Sequence, residues 1–525
     1  MVTSQDAMAS AEEVEPELVV SFTEDPIVAD VASLVASMEP IDPSILRATR
    51  AWRVLQCFGA ALRGTNRDLY ERSFPVSSIQ VFWSHSWHGN NYMKRLLLIL
   101  LYSGPAAAIA ATISALLMMS LHIAGVLPGL PRASILPLDE GLELVFAPWC
   151  LLTAGVVFAV VLVLWRSNRL VFLDQVCIHQ TDAELKDNGI LSLGAFLKYS
   201  EQFLLVWDST YAGRLYCLLE LAAFLTSHER PQDKVTVRLT AMAPCILGLG
   251  LAMWASMLHW VLVEEHTPFE TVALVLSRWL SVYIAASYLR EHYRTTEVML
   301  KQLADFTVQG AQCHCCNDEA SCIAEVCDRA VITRCIRIWY GSVEAFEVTV
   351  RTHVRRMLYR QLGGLLFPYR WQVLGALPLF WGFADLIAAR GRAGNWKAAA
   401  IFFLASLTWC FLLLPTVFQV ALLLAKYFRA EESGVWRDRL KSTVVALVVA
   451  LLSFLGNWTA LLVADVFSAS LWMGGSAMLF GISWLALQFQ AGQSAQMLDA
   501  IGKDVGESSA ASVAGKPPHE LAASR

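Results

Sequence analysis

The sequence has few charged residues. Only 16% of its 525 residues are Asp, Glu, Lys or Arg, whereas 56% are hydrophobic, and the mean hydropathy is +0.49. An ordinary soluble protein has about 25% charged residues, so this composition excludes a disordered chain and a simple soluble enzyme. Because the net charge is −5, the sequence offers no basic surface for nucleic acid, and we expect no such partner.

Familiar catalytic motifs are missing as well. The sequence contains no P-loop, no G-x-G-x-x-G, no H-E-x-x-H and no serine elbow. Basic residues are absent from the first 46 residues, which hold ten acids, and a signal peptide needs a basic start. We predict a disordered acidic arm over residues 1–46 and a disordered, Ala- and Ser-rich tail over residues 489–525.

Long apolar stretches make up much of the remainder. A helix needs about 20 apolar residues to cross a bilayer, because its backbone must be hydrogen-bonded internally there. Eight segments qualify, forming hairpins over 106–165 and 241–289 and a four-helix region over 371–488. The eight segments are 106–126, 143–165, 241–263, 269–289, 371–388, 397–425, 443–463 and 467–488.

The basic residues predict the orientation of these segments. If all eight cross the bilayer, 35 of the 40 Lys and Arg residues lie on one side, as the positive-inside rule expects of the cytosolic side. We therefore expect an integral, multi-pass protein in the lipid bilayer with both termini in the cytosol. Cysteines in that reducing compartment are not expected to form disulfides.

Apart from residues at span ends such as Glu143 and Lys397, two charged residues fall inside predicted spans. They are Arg278 and Asp385, and His259 lies late in the third span. Intramembrane charges usually face the bundle interior and have a partner. Arg278 and Asp385 are either a structural pair or part of the pathway of a channel or transporter, or Arg278 extends to the membrane surface. A transporter is the weaker alternative, because no inverted repeat is visible.

A small α/β layer is predicted on the cytosolic side. Continuous apolar runs alternate with helix-like segments, which is typical of parallel strands buried on both faces. The layer comprises residues 79–103 and 166–240 and is interrupted by the first membrane hairpin. We expect its first helix to end at Gly104-Pro105, before the span begins. The runs are 79–84, 169–174, 202–207 and, more weakly, 235–239, and the helix-like segments are 91–103, 191–199 and 211–228.

Several short motifs in this layer resemble those of Toll/interleukin-1 receptor (TIR) domains. Ser84-His85-Ser86 resembles the end of their first strand, and Tyr216-Cys217 with Glu220 resembles their "WC..EL" helix. Asp174 and the residues after it are also similar to the "D..CI.Q" segment of the TIR-related heterokaryon-incompatibility domains. The resemblance covers about 100 of the 525 residues. It implies a flavodoxin-like fold and a function in protein association, self-association or signalling.

The resemblance also implies an alternative function as an NAD-cleaving hydrolase with Glu220 as its catalytic residue. Otherwise Glu220 is an exposed helix charge or a member of a salt bridge. In flavodoxin-like sheets, ligands bind beyond the carboxyl ends of the strands where the strand order reverses. The residues expected at this cleft are Ser84, His85, Ser86, Asp174, Asp208 and Ser209.

Residues 290–370 are predicted to form a cysteine-rich helical subdomain in the cytosol. Cys313 and Cys316 have the C-x2-C spacing of a zinc knuckle, and Cys322 with Cys327 would complete a tetrahedral site. The alternative is that reduced cysteines pack a small core without any cofactor. After them, Ser342 is expected to cap a helix with apolar residues at helical spacing.

Overall fold

The computed structural model describes residues 26–63, 68–133, 137–262, 268–313, 327–362, 368–431, 434–461, 463 and 465–489. The strands are β1 (Arg47–Arg50), β2 (Ser73–Pro75), β3 (Ile79–His85), β4 (Leu130–Ala133), β5 (Glu143–Phe146), β6 (Leu170–Phe172), β7 (Ser200–Trp207) and β8 (Val235–Leu239). The helices before the last sheet strand are α1 (Pro26–Ser37), α2 (Ala51–Gly59), α3 (Asn91–Ile123), α4 (Trp149–Leu164), α5 (Asp174–Cys177), α6 (Ala183–Leu191), α7 (Leu193–Lys198), α8 (Leu215–Ser227) and α9 (Pro231–Lys234). Those after it are α10 (Met242–Leu262), α11 (Pro268–Ala304), α12 (Asp328–Tyr340), α13 (343–362), α14 (Tyr369–Arg392), α15 (Trp396–Tyr427), α16 (Val435–Leu461) and α17 (Val466–Phe489).

One six-stranded sheet has the order β2-β1-β6-β3-β7-β8. The four strands β6, β3, β7 and β8 are parallel, with β8 at one edge, whereas β1 and β2 form an antiparallel extension at the other edge. Phe82 stacks between Phe172 and Phe203, with ring centroids 4.6 and 5.5 Å away. The first three apolar runs, which form β3, β6 and β7, thus lie in one sheet as predicted. The antiparallel edge was not predicted.

The predicted disorder of residues 1–46 is wrong from Pro26 onward. Helix α1 buries Val28, Ala32 and Val35 on one face, and that face packs on α12 and α7. The indole Nε1 of Trp339 donates a hydrogen bond of 3.1 Å to the carbonyl of Ala36. Because the apolar residues recur three and four positions apart, they form a helix face. The acidic composition of the arm concealed this pattern.

The expected break at Gly104-Pro105 is also wrong, because α3 is one helix of 33 residues with Pro105 inside it. Proline removes one backbone hydrogen bond from a helix interior. The loss is tolerated here because the helix is packed on both sides of it. Ala107, Ala111 and Ala115 are fully buried at a spacing of four residues, which allows neighbouring helices to approach closely.

Five helices are long and apolar enough to cross a membrane in the part of the chain that the structure describes. The protein is therefore an integral membrane protein. The predicted bounds 143–165 are corrected, because Glu143–Phe146 pairs with Leu130–Ala133 as a strand and the helix begins only at Trp149 and has 16 residues. The predicted span over 269–289 lies within α11, and that over 443–463 overlaps α16 up to Leu461, so eight crossings remain a prediction. The five helices are α3, α10, α14, α15 and α17.

The sheet and the apolar helices are directly connected. Strand β3 leads into α3, α4 leads into β6, and β8 leads into α10. The predicted cysteine-rich subdomain also packs on the sheet, and both parts share one hydrophobic core. The backbone of Gln312 pairs with the start of α8, because its carbonyl accepts a hydrogen bond of 3.1 Å from the amide of Leu215. Ser342 caps the next helix as predicted, accepting from the amide of Ala345.

Candidate functional site

The carboxyl ends of β3 and β7 form the centre of the candidate site. The chain passes from β3 to β6 on one side and then to β7 on the other, so the strand order reverses between β3 and β7. A crevice at such a reversal is where open α/β sheets bind ligands. Ser84, His85 and Ser86 end or follow β3, and Asp208 with Ser209 follows β7.

Glu220 is held over this crevice by α8. The helix begins four residues later than the predicted segment, and Leu215, Leu218, Leu219 and Ala222 form its buried face as expected. Ser84 Oγ lies 2.5 Å from Glu220 Oε2 and 2.7 Å from the hydroxyl of Tyr211. Glu220 is therefore a half-buried group in contact with the sheet, and the alternative of a solvated helix charge does not describe it.

The environment of Glu220 favours its neutral form. Burial raises the pKa of Glu220 from 4.5 to about 8. The hydrogen bond from Ser84 lowers this pKa, and the negative charge of Asp174 raises it by a smaller amount. The carboxyl group is thus protonated at neutral pH. Carboxyl groups with such pKa values are found where proton transfer or charge stabilisation takes place.

Glu220 belongs to a chain of hydrogen bonds with two buried hydroxyl groups. Ser84 Oγ donates to Glu220 Oε2. The Tyr211 hydroxyl has one proton, which it can donate either to Ser84 Oγ or to the carbonyl of Cys217, 3.2 Å away.

A second group of contacts joins β3 to the turn after β6. The indole Nε1 of Trp87 donates to Asp174 Oδ2 over 2.9 Å, and the His85 ring lies edge-on to Trp87 with centroids 4.5 Å apart. His85 Nε2 has no hydrogen-bond partner within the part of the chain that is described. Burial lowers the pKa of His85, although Asp174 opposes the shift. The imidazole of His85 is therefore held in its neutral form, and its Nε2 is a buried nitrogen.

Lys94 fixes the loop between β3 and α3. Its side chain is 1% exposed and lies 3.3 Å from Asp208 Oδ2, and it also donates to the carbonyl of Ser86. Thr210 Oγ1 donates to Ser86 Oγ over 2.7 Å. These contacts hold the loops after β3 and β7 together. Ser209, by contrast, is exposed on the rim.

Sequence reasoning found Ser84, His85, Ser86, Asp174, Asp208 and Glu220, and the structure brings these six to the same edge of the sheet. It did not find Lys94, Tyr211 or the role of Trp87. One signal was available for Lys94, which stands three and four residues before Leu97 and Leu98 on the buried face of α3. A lysine at a buried helix position needs an anionic partner.

Only two of the four cysteines predicted to bind zinc lie in the part of the chain that the structure describes. Cys313 is buried and Cys327 immediately precedes α12, whereas Cys316 and Cys322 lie outside the described residues. No group of three metal-ligating side chains occurs among the residues that are described. The zinc site therefore stays a prediction.

Asp385 has a structural role in the bundle. Its two carboxylate oxygens accept hydrogen bonds from the amides of Cys150 and Leu151, over 2.7 and 3.0 Å. These amides belong to the first turn of α4, where a helix leaves its N–H groups unpaired. The side chain of Arg278 lies outside the described residues, so the predicted pair is untested. The bonds to α4 favour the structural interpretation over a transport pathway.

No protein-family model, no curated protein and no solved structure matches this chain. The resemblance to TIR domains accordingly depends on the short motifs and on the strand order described above.

Proposed function

We propose that this chain is a membrane-anchored enzyme that hydrolyses NAD. Its TIR-like α/β domain would cleave NAD at the crevice between β3 and β7. The observation that carries the proposal is Glu220, a half-buried carboxyl group 2.5 Å from Ser84 at the point where the strand order reverses. The proposal includes eight crossings with both termini in the cytosol, where NAD is available to the crevice.

The reaction uses water as the nucleophile. The bond between the ribose C1′ and the nicotinamide nitrogen breaks, and nicotinamide leaves with the electron pair. A bond from the water oxygen to C1′ forms and a proton is released, giving ADP-ribose and nicotinamide. Ionised Glu220 stabilises the positive charge that develops on the ribose in the transition state. The cationic nicotinamide ring of the bound substrate favours this ionisation because an adjacent positive charge lowers the pKa of a carboxyl group.

Nicotinamide release by the detergent-purified full chain tests the proposal. We expect release by the wild type and its loss in Glu220→Gln, with Glu201→Gln as the matched control because Glu201 is an exposed glutamate of the same domain. The value of kcat/KM should rise with pH and level off above about 8, since it reports ionisation of the free enzyme. Equal release by the wild type and Glu220→Gln would rule out Glu220 as the catalyst.

A second candidate is a signalling module that associates in response to a ligand. The observation in its favour is that α3 begins at the crevice, where Lys94 binds Asp208, and continues towards the membrane as one helix. Occupation of the crevice would thereby change the position of a membrane helix. Light scattering of the full chain with and without NAD tests this. We expect a larger mass with NAD, and no response when Lys94→Met and Asp208→Asn remove both charges together.

Zinc and topology remain proposals with direct tests. Structural zinc on the four predicted cysteines requires about one atom per chain under reducing conditions, and metal analysis below that value would contradict it.

For the topology, single cysteines introduced at His88 and at Leu130 (62% exposed) are labelled from each side of sealed vesicles. We expect His88 to react only from the cytosolic side and Leu130 only from the other.

A further inference from the structure

A cavity of about 430 Å³ lies between α11 and α16. Its wall on α11 runs from Tyr283 to Arg294, and its wall on α16 runs from Asp438 to Ser442. With a rise of 1.5 Å per residue, the α11 wall is about 16 Å long. The charged end is the one nearest the sheet, because α11 continues from there into the core that it shares with the sheet.

The two ends of this cavity have different chemistry. Tyr283 and Ile284 form one end, and Ile284 is 56% exposed on the helix surface. Arg294 and Arg439 belong to the other end. An elongated cavity with an apolar end and a charged end matches a lipid, in which an acyl chain joins a polar headgroup.

Two of the three arginines in the wall are already paired. Arg290 is buried and donates to Asp438 Oδ1 over 2.8 Å, to Ser442 Oγ and to the carbonyl of Phe428. Arg294 also binds Asp438 and lies 3.3 Å from Glu291. The two acids of the wall are thereby neutralised by two arginines, and the remaining positive charge belongs to Arg439.

Arg439 is the group left for a ligand. Its guanidinium lies 5.7 Å from the centre of the Trp436 ring, and it makes no hydrogen bond or ion pair with any residue that the structure describes. Trp436 is 80% exposed at the start of α16, and tryptophans in this position commonly lie among lipid headgroups. If α16 crosses the bilayer, as the sequence predicts, Arg439 lies at headgroup depth, beside a cavity that carries a net positive charge.

We propose that this cavity binds an anionic phospholipid from the leaflet on the side of the sheet. The headgroup phosphate accepts hydrogen bonds from Arg439, since a guanidinium matches the geometry of phosphate oxygens. One acyl chain lies along Ile284 at the apolar end. The site is separate from the crevice at Glu220 and does not depend on the proposed hydrolase.

Native mass spectrometry of the delipidated full chain tests this site with phosphatidylserine, phosphatidylcholine and inorganic phosphate as probes. The variant is Arg439→Gln, and Arg437→Gln is its matched control, an exposed arginine of the same helix that does not line the cavity. We expect one retained phosphatidylserine per chain, binding about tenfold weaker in Arg439→Gln, and wild-type binding in Arg437→Gln. Phosphatidylcholine should be retained less than phosphatidylserine.

Three results would overturn the proposal. Equal weakening by both arginine variants would mean that only the general positive charge of the surface attracts the lipid. Equal retention of phosphatidylcholine would remove the selectivity for anionic lipid. Thermal stabilisation by inorganic phosphate as large as that by phosphatidylserine would identify a site for a free anion, in which the acyl chain has no part.

Discussion

Replacing Glu220 by glutamine should change how the stability of the protein depends on pH. The pKa of Glu220 is raised from 4.5 to about 8, so the folded state holds this proton more tightly than the unfolded state. The stability contributed by the proton is fully present below pH 4.5 and is lost as the pH rises to about 8. The loss is at most about 5 kcal/mol, at about 1.4 kcal/mol per pH unit, and solvent reduces it for a half-buried group.

Glutamine imitates the protonated form. Its amide oxygen can accept from Ser84, as the carboxyl oxygen does, so the hydrogen bonds through Ser84 and Tyr211 are retained. We therefore expect Glu220→Gln to unfold at nearly the wild-type temperature at pH 5 and at a higher temperature than the wild type at pH 9. Thermal unfolding of the detergent-purified chain over this pH range measures the difference between the two curves.

The control is Glu201→Gln, since Glu201 is exposed on β7. Its curve should stay parallel to that of the wild type. Ser84→Ala gives a second comparison, because the hydrogen bond from Ser84 lowers the pKa of Glu220. Without this hydrogen bond the pKa of Glu220 should be higher, so the loss of stability should extend to higher pH. Parallel curves for the wild type and Glu220→Gln from pH 5 to 9 would refute the reasoning, because they would mean that Glu220 ionises in the folded protein as it does in the unfolded chain.

Three further substitutions address the packing of the molecule, each with thermal unfolding as the measurement unless stated. Asp385→Ala removes both acceptors for the first turn of α4 and should cost about 1–2 kcal/mol; an unchanged unfolding temperature would contradict this role. Arg390→Leu removes the ion pair of 2.6 Å with the buried Asp139, which keeps the hydrogen bond from Asn395, and should cost about 3–5 kcal/mol; adding Asp139→Asn should recover part of the loss. Gly194→Ala would place a Cβ atom 2.3 Å from a carbonyl of α1, so α1 should become more sensitive to proteolysis, while Gly213→Ala, with its nearest contact at 3.8 Å, should not have this effect.

The sheet could be predicted from the sequence because its strands are buried on both faces. Such strands appear as continuous apolar runs, and Phe82, Phe172 and Phe203 come from three different runs. The buried face of α8 was likewise visible in the spacing of its leucines.

Other features depend on tertiary contacts that a sequence pattern does not contain. The continuity of α3 through Pro105 depends on the packing of neighbouring helices, which offsets the lost hydrogen bond. Helix α1 is too short to be stable alone and forms because α12 and α7 cover its apolar face. The pKa of Glu220 depends on its burial and on its distance to Ser84, which only the assembled sheet determines.

Three arginines that the topology prediction leaves outside the cytosol have structural roles of their own. Arg132 donates to the carbonyls of Val261 and Leu262 at the end of α10, over 2.9 and 2.8 Å. Arg392 donates to the carbonyl of Leu127 beyond the end of α3, and Arg390 forms its buried pair with Asp139. Each of these charges therefore completes a local structure at a helix end. Because each has a structural reason for its position, the three exceptions do not weaken the orientation inferred from the other basic residues.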